Sequence, residues 1–334
     1  MPTYDNLKKT LYKHRLQSLQ AKKTRFLKIS DVKVPGCFQK FVLADYSEKN
    51  CRILIFASPK AREILRNAVD FYIDGTFKSA SPPFKQLYVI QADMGGTTET
   101  NKIIPLCYAL LPDKKQNTYE ILFEMIKSQI PELQSKSFTS DYEASAMLAV
   151  KNCFPTVTIR GCFFHFSRAC WRKADNLGLK KCRFAKAHIR RAVSLAYLPK
   201  EFVTDGWLYV KGEGGTDSKI CQFNEYFEQT WIRASSLLFD KWCFHNIRHK
   251  TNNANETWNG RLNKKISSKP NIATLLKLLE KNSNYYFGLM KQKGFISKRT
   301  YQTMQIQKKI ERCTRELCDS EISVGHCIEK LSNI

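Results

Sequence analysis

Two aspartates stand where a strand core does not ordinarily place them. Residues 70–77 read DFYIDGTF, with Asp74 inside an apolar, aromatic run, and the short strand pattern SKSFTS ends at Asp141. A buried carboxylate costs several kcal/mol unless it is paired or binds a cation. Two carboxylates on adjacent strands suit hard divalent ions, Mg²⁺ or Mn²⁺, which bind through oxygen and keep positions for phosphate oxygens. Two such ions about 3.5–4 Å apart serve the attacking and leaving oxygens of a phosphodiester. A third acid usually completes such a set. The best candidate is Glu256 in HKTNNANETWNGRLNKK, within the first turn of a predicted helix whose start carries the amides of Asn252, Asn253 and Asn255. Glu143, two residues past Asp141, is its rival. Arg261, Lys264 and Lys265 follow on the Glu256 helix, placed for contacts to a DNA backbone.

GCFFHF adds Cys162 and His165 just after a strand pattern, as possible auxiliaries of the acids. Cys-x-x-His is half of a zinc site, but no matching second pair stands out, so zinc is not expected. Histidine beside a metal-bound phosphate donates hydrogen bonds or protons. No glycine-rich phosphate loop, nucleophile elbow or HExxH motif occurs, which sets aside the common nucleotide-binding, esterase and zinc-protease readings.

The charge agrees with a phosphodiester substrate. The 334 residues carry 55 Lys and Arg against 30 Asp and Glu, a net charge of +25. Such an excess favours a polyanion, most simply nucleic acid, because neutralising phosphates releases counterions. The hydrophobic content of 43% is that of a globular chain. No apolar run approaches the roughly 18 residues of a membrane span, so no membrane partner is expected. Twelve cysteines, scattered and without any CxxC pair, point to a reducing compartment, and a nuclear location is expected.

The elements that must position these acids fall into an ordered pattern. FQKFVLAD (38–45) and CRILIFAS (51–58) read as a hairpin, followed by a short helix in PKAREILRNA. Strand patterns at 70–77, 84–94 and 102–111, separated by turn-rich segments, form an antiparallel meander. A helix over NTYEILFEMIKSQI, a strand at 135–140, a helix at about 142–152, a strand at 156–161 and a helix from about 164 to 176 follow. Three meandering strands and two βα crossovers give an α/β fold with a mixed five-stranded sheet, order 3-2-1-4-5, and helices on both faces. This is the ribonuclease-H-like arrangement, and it sets Asp74 and Asp141 on neighbouring strands.

The expected organisation is a basic arm and lead-in over 1–65, a catalytic core over 66–180, a helical insertion over 181–250, and C-terminal helices over 251–334 that complete the core. The arm clusters Lys8, Lys9, Lys13, Arg15, Lys22, Lys23, Arg25 and Lys28. Trp207, Trp231 and Trp242 of the insertion read as core anchors.

Several of these segments together resemble the Mutator-like element transposases. The resemblance rests on FYIDGTFKSASPPFKQLYVIQADMGG, IIPLCYALLPDKKQNTYEILFEMI, SFTSDYEASAMLAVKNCFPTVTIRGCFFHFSRACWRKADNLGL and TNNANETWNGRLN. It covers roughly 70–180 closely and 250–265 more loosely. It implies a DDE transposase that cuts and joins DNA strands with two Mg²⁺ or Mn²⁺ ions, held by Asp74, Asp141 and Glu256. It also implies DNA as partner and a homo-oligomer in the synaptic complex. The alternative is a domesticated, non-catalytic nuclear DNA-binding or regulatory protein, since no zinc-finger DNA reader occurs in the sequence.

Overall fold

The computed structural model describes residues 28–48, 51–95, 100–233, 241–247, 249–291 and 297–334. The expected basic arm lies outside them except for Lys28. Strands β1 (Val42–Glu48), β2 (Cys51–Phe56), β3 (Asp70–Thr76), β4 (Gln86–Asp93), β6 (Ile103–Leu111), β7 (Ser137–Ser140) and β8 (Thr158–Gly161) form one mixed sheet. Their order is β1-β2-β6-β4-β3-β7-β8. The short β5 (Thr100–Asn101) pairs instead with β9 (Ser297–Lys298).

The sheet therefore has seven strands and not the expected five. The five strands read as the core lie side by side within it, and the lead-in hairpin extends them. β2 pairs antiparallel with β6 through Leu54↔Leu110, Ile55↔Ala109 and Phe56↔Tyr108. The reason is visible in its side chains. Ile53 and Ile55 pack into the core on one face of the sheet, Leu54 and Phe56 into the core on the other. A strand apolar on both faces needs cover on both, which a free-standing hairpin does not supply. Arg52 closes the turn end, holding Asp45 through two bonds of 2.9 and 2.8 Å and the carbonyl of Val32 at 2.7 Å.

Helices α1 (Pro59–Asn67), α2 (Gln116–Gln129) and α3 (Ala144–Cys153) cover one face of the sheet. Ser58 starts α1 by accepting the Ala61 N–H, with Pro59 at the first helical position. Helices α4 (Phe163–Asn176), α5 (Arg183–Ser194), α6 (Val203–Gly212) and α7 (Ser218–Phe227) build a separate helical core. Trp207, Trp231 and Trp242 are all buried in it. Trp242 stacks on Phe166 at 5.1 Å and donates its indole N–H to the Trp231 carbonyl. These are anchors, as their spacing among apolar residues suggests.

The expected C-terminal unit divides between the two cores. Helices α8 (Asn253–Lys265) and α9 (Ile272–Lys291) cover the second face of the sheet through Trp258, Leu262, Leu275, Leu276 and Leu279. Helices α10 (Tyr301–Cys318) and α11 (Val324–Ser332) instead pack on the helical core, with Ile310, Leu317, Ile328 and Leu331 buried there. Among the described residues no helix is long and apolar enough to cross a membrane.

Candidate functional site

Strand pairing brings the two aspartates level. β3 and β7 run parallel with Asp70↔Ser137, Phe71↔Phe138 and Tyr72↔Thr139 in register. Two residues farther come Asp74, still in β3, and Asp141, the first residue past β7, so the period-two alternation of the paired strands points both toward the same face. That face looks toward α8. The opposite face is filled by apolar residues such as Phe71, Ile73 and Phe138.

Asparagines fasten α8 over Asp74. Asn252 donates to the Ile73 carbonyl at 3.0 Å, Asn255 donates to Asn252 Oδ1 at 2.8 Å, and Asn259 donates to Asp74 Oδ2 at 2.8 Å. One turn on, Asn263 accepts from Ser79. The positions 252, 255, 259 and 263 follow the three-to-four residue spacing of one helix face. Asn252 and Asn255 are fully buried; their NH₂ groups donate within the protein, while Asn255 Oδ1 has no hydrogen-bond partner among the described residues. Gly75 donates its N–H to Asp74 Oδ1 at 2.7 Å, and a Cβ there would meet the buried Gln86 amide at 1.8 Å.

The same helix presents Glu256, and α4 presents His165. His165 Nδ1 lies 3.1 Å from Asp141 Oδ1, and its Nε2 lies 3.8 Å from Glu256 Oε1. The shorter approach is close in distance but not directed as a hydrogen bond: both atoms are buried without a hydrogen-bond partner. Cys162 sits at the N-cap of α4 with its sulfur accepting the Asn252 N–H at 3.2 Å. Asp141, Cys162 and His165 each bring a ligand atom to within 4.8 Å of the others.

Electrostatics set this cluster apart from the rest of the core. Asp74 has its pKa pushed up to about 7, first by burial and then by the charge of Asp141, with Glu256 adding to it. The Gly75 N–H and the Asn259 amide pull the other way. Asp141 is also raised, chiefly by burial, against the pull of His165 and the Asn252 amide. Acids crowded in a half-buried cluster, with the orphaned Asp141 Oδ1 and His165 Nδ1 turned toward one another, make a place that could hold a metal ion, where Asp141, Cys162 and His165 offer oxygen, sulfur and nitrogen donors.

The structure thus brings Asp74, Asp141, Glu256, His165 and Cys162 together. Glu143 is turned elsewhere: it accepts from the Tyr119 hydroxyl at 3.0 Å and pairs with Lys114 at 3.4 Å. Arg261, Lys264 and Lys265 are exposed on α8 beyond the site. Sequence reasoning missed Asn259 and Asn263, whose signal was their spacing from Asn252 and Asn255. It also missed Tyr142, which packs edge-on against Trp231 at 5.2 Å and ties the Asp141 loop to the helical core. Asp93 closes β4 and lies 3.4 Å from His249.

Compared with known families, residues 71–169 match the model described as the MULE transposase domain. That span contains Asp74, Asp141, Cys162 and His165, and ends before Glu256. A search of curated proteins gave no match.

Proposed function

We propose, on the premise that this chain carries a Mutator-like transposase domain over residues 71–169, that it cleaves and joins DNA strands in a metal-dependent reaction on a ribonuclease-H-like core. The observation that carries the reading is the convergence of the three acids on one cluster: beyond burial, Asp141 and Glu256 both raise the Asp74 pKa through their charge, and His165 lies 3.1 Å from Asp141 and 3.8 Å from Glu256. Asp74, Asp141 and Glu256 would hold two Mg²⁺ or Mn²⁺ ions. Ions bound there supply an activated attacking oxygen and charge neutralisation at the leaving oxygen.

The protein's own groups prepare that place. Asn259 and the Gly75 N–H fix the orientation of the Asp74 carboxylate, and burial denies it the water that would otherwise solvate its charge. His165 stands between Asp141 and Glu256 and separates two acids that repel each other. Arg261, Lys264 and Lys265 hold the DNA backbone without reading its sequence.

Incubation of the purified chain with supercoiled plasmid and Mg²⁺ or Mn²⁺ tests the proposal. Nicked or linear products and strands joined to a second DNA are expected, and EDTA should remove both. Free ends without joined strands would reduce the activity to that of a nuclease. Binding without any cleavage in either ion would overturn the proposal in favour of a non-catalytic DNA-binding protein.

The Asn259→Leu variant gives a finer expectation. Removing the amide from Asp74 Oδ2 takes away a hydrogen bond to the charged form, so the Asp74 pKa moves above about 7. Mn²⁺ binding by titration calorimetry should weaken about tenfold at pH 7, equivalent to about 1.4 kcal/mol. The deficit should narrow at pH 8.5, where the carboxylate ionises again; an equal deficit at both values would contradict it.

A further inference from the structure

Between Phe163 and Arg191 the chain carries nine Lys or Arg residues against the single acid Asp175, about a third of the net charge in under a tenth of the length. Some of these cations have local partners. Lys180 pairs with Asp175 at 3.0 Å, Arg191 with Glu329 at 2.6 Å, and Lys173 lies over the Tyr226 ring. Arg168, Arg172, Lys181, Arg183, Lys186 and Arg190 are exposed and make no ion pair with the described residues.

Their placement follows helix geometry. Phe166, Cys170 and Ala174 of α4 are fully buried at i, i+4, i+8. Phe164, Arg168 and Arg172 repeat that spacing two residues earlier, about 200° round the helix, and so face outward. On α5, Ala185, Ile189 and Ala192 face the core. Arg183, Lys186 and Arg190, at i, i+3, i+7, lie on the other side. Each row begins beside an exposed aromatic: Phe164 is 44% exposed and Phe184 51%.

A solvated helix face ordinarily mixes acids with its bases. This one leaves six cations without an ion pair among the described residues, interleaves aromatics that can lie on sugars or bases, and begins at α4's first turn beside His165. We propose that the outward faces of α4 and α5 form a track for the DNA flanking the cut, leading away from the acids on the His165 side. The proposal rests on the reading of DNA as the substrate. It assigns the path to the helical region and not to α8 alone. With 14 residues α4 spans ~21 Å, so this face meets about six base pairs at roughly 3.4 Å each.

Binding measured without cleavage separates this idea from the catalytic one. The probe is a fluorescein-labelled 40-base-pair duplex of mixed sequence, titrated by anisotropy with the full chain in EDTA. The quadruple variant Arg168→Gln, Arg172→Gln, Arg183→Gln, Lys186→Gln changes only exposed side chains. It should bind at least tenfold more weakly at 100 mM salt. Its plot of log K against log salt should lose a slope of about 3.6, at roughly 0.9 per phosphate contact. A salt slope equal to the wild type would overturn the track.

A second readout does not depend on the variant's folding. A photocrosslinking phenylalanine at position 184 should attach to the duplex, whereas the same group at Leu208, exposed on α6 outside the rows, should not. Equal crosslinking at both positions would also overturn the track. A chain that binds in this manner but fails to cut plasmid would leave the track standing and remove the catalytic proposal.

Discussion

The Asp74→Asn variant should lose DNA cleavage by at least about a thousandfold and, in metal-free buffer at pH 8, melt at a higher temperature than the wild type. The two effects have one cause. In the folded chain the Asp74 pKa is pushed from 3.8 to about 7, by burial first and by the Asp141 charge next. Below about pH 4 the group is protonated in both folded and unfolded chains and contributes no difference. Between about 4 and 7 only the unfolded chain ionises it, so stability falls as pH rises through that window. Above about 7 the penalty is constant, at most on the order of 4 kcal/mol. Asparagine keeps the shape and removes the charge, so the variant should gain most at pH 8 and little at pH 4. Divalent ions should reverse the ranking by binding only the wild-type carboxylate. Melting curves at pH 4, 6 and 8, with and without Mn²⁺, supply the measurement. A variant less stable than wild type at pH 8 without metal would assign Asp74 a structural role, and retained cleavage would remove it from the chemistry.

That strain explains which parts of the site were legible in the sequence. Asp74 announced itself because a carboxylate inside DFYIDGTF contradicts its apolar neighbours, and Asp141 because a strand pattern ends on it. Glu256 carried no such contradiction, since a glutamate in a helix's first turn is ordinary; it entered through the ordered motifs of the family resemblance. Asn259 and Asn263 continue the helical spacing of Asn252 and Asn255, but only the packing of α8 on β3 makes their amides partners of Asp74 and Ser79. Cys-x-x-His suggested half a zinc site. Among the described residues no second Cys–His pair lies beside it; Asp141 does, with the sulfur accepting the Asn252 N–H and the imidazole reaching two acids.

The fold divides in the same way. Local alternation marked the meander and the βα units. The pairing of β2 with β6 joins residues more than fifty positions apart, and no local pattern specifies it. Helices α10 and α11 fall in the span 251–334 read as C-terminal helices, and each has an apolar face. That reading did not say which core the face would join, because one apolar stripe fits either.

The Gly161→Ala variant tests how firmly the helical core holds the acids. Gly161 ends β8, and a Cβ built on it would stand 2.2 Å from the ring of Tyr142. Tyr142 has little room to yield: its ring packs on Trp231, and its hydroxyl donates to the Lys241 carbonyl at 3.2 Å. Its neighbour in the chain is Asp141, so a displaced ring pulls on that carboxylate. Overpacking of this kind costs about 1–3 kcal/mol, and the variant should unfold at correspondingly lower urea. Mn²⁺ binding should weaken as well, through Asp141. Tyr142→Ala in the same chain removes the collision, so the double variant should lose less stability than the two single losses together, a coupling of at least about 0.5 kcal/mol. Additive losses would mean that the ring moves aside freely. The helical core would then play no part in placing Asp141 beside Asp74.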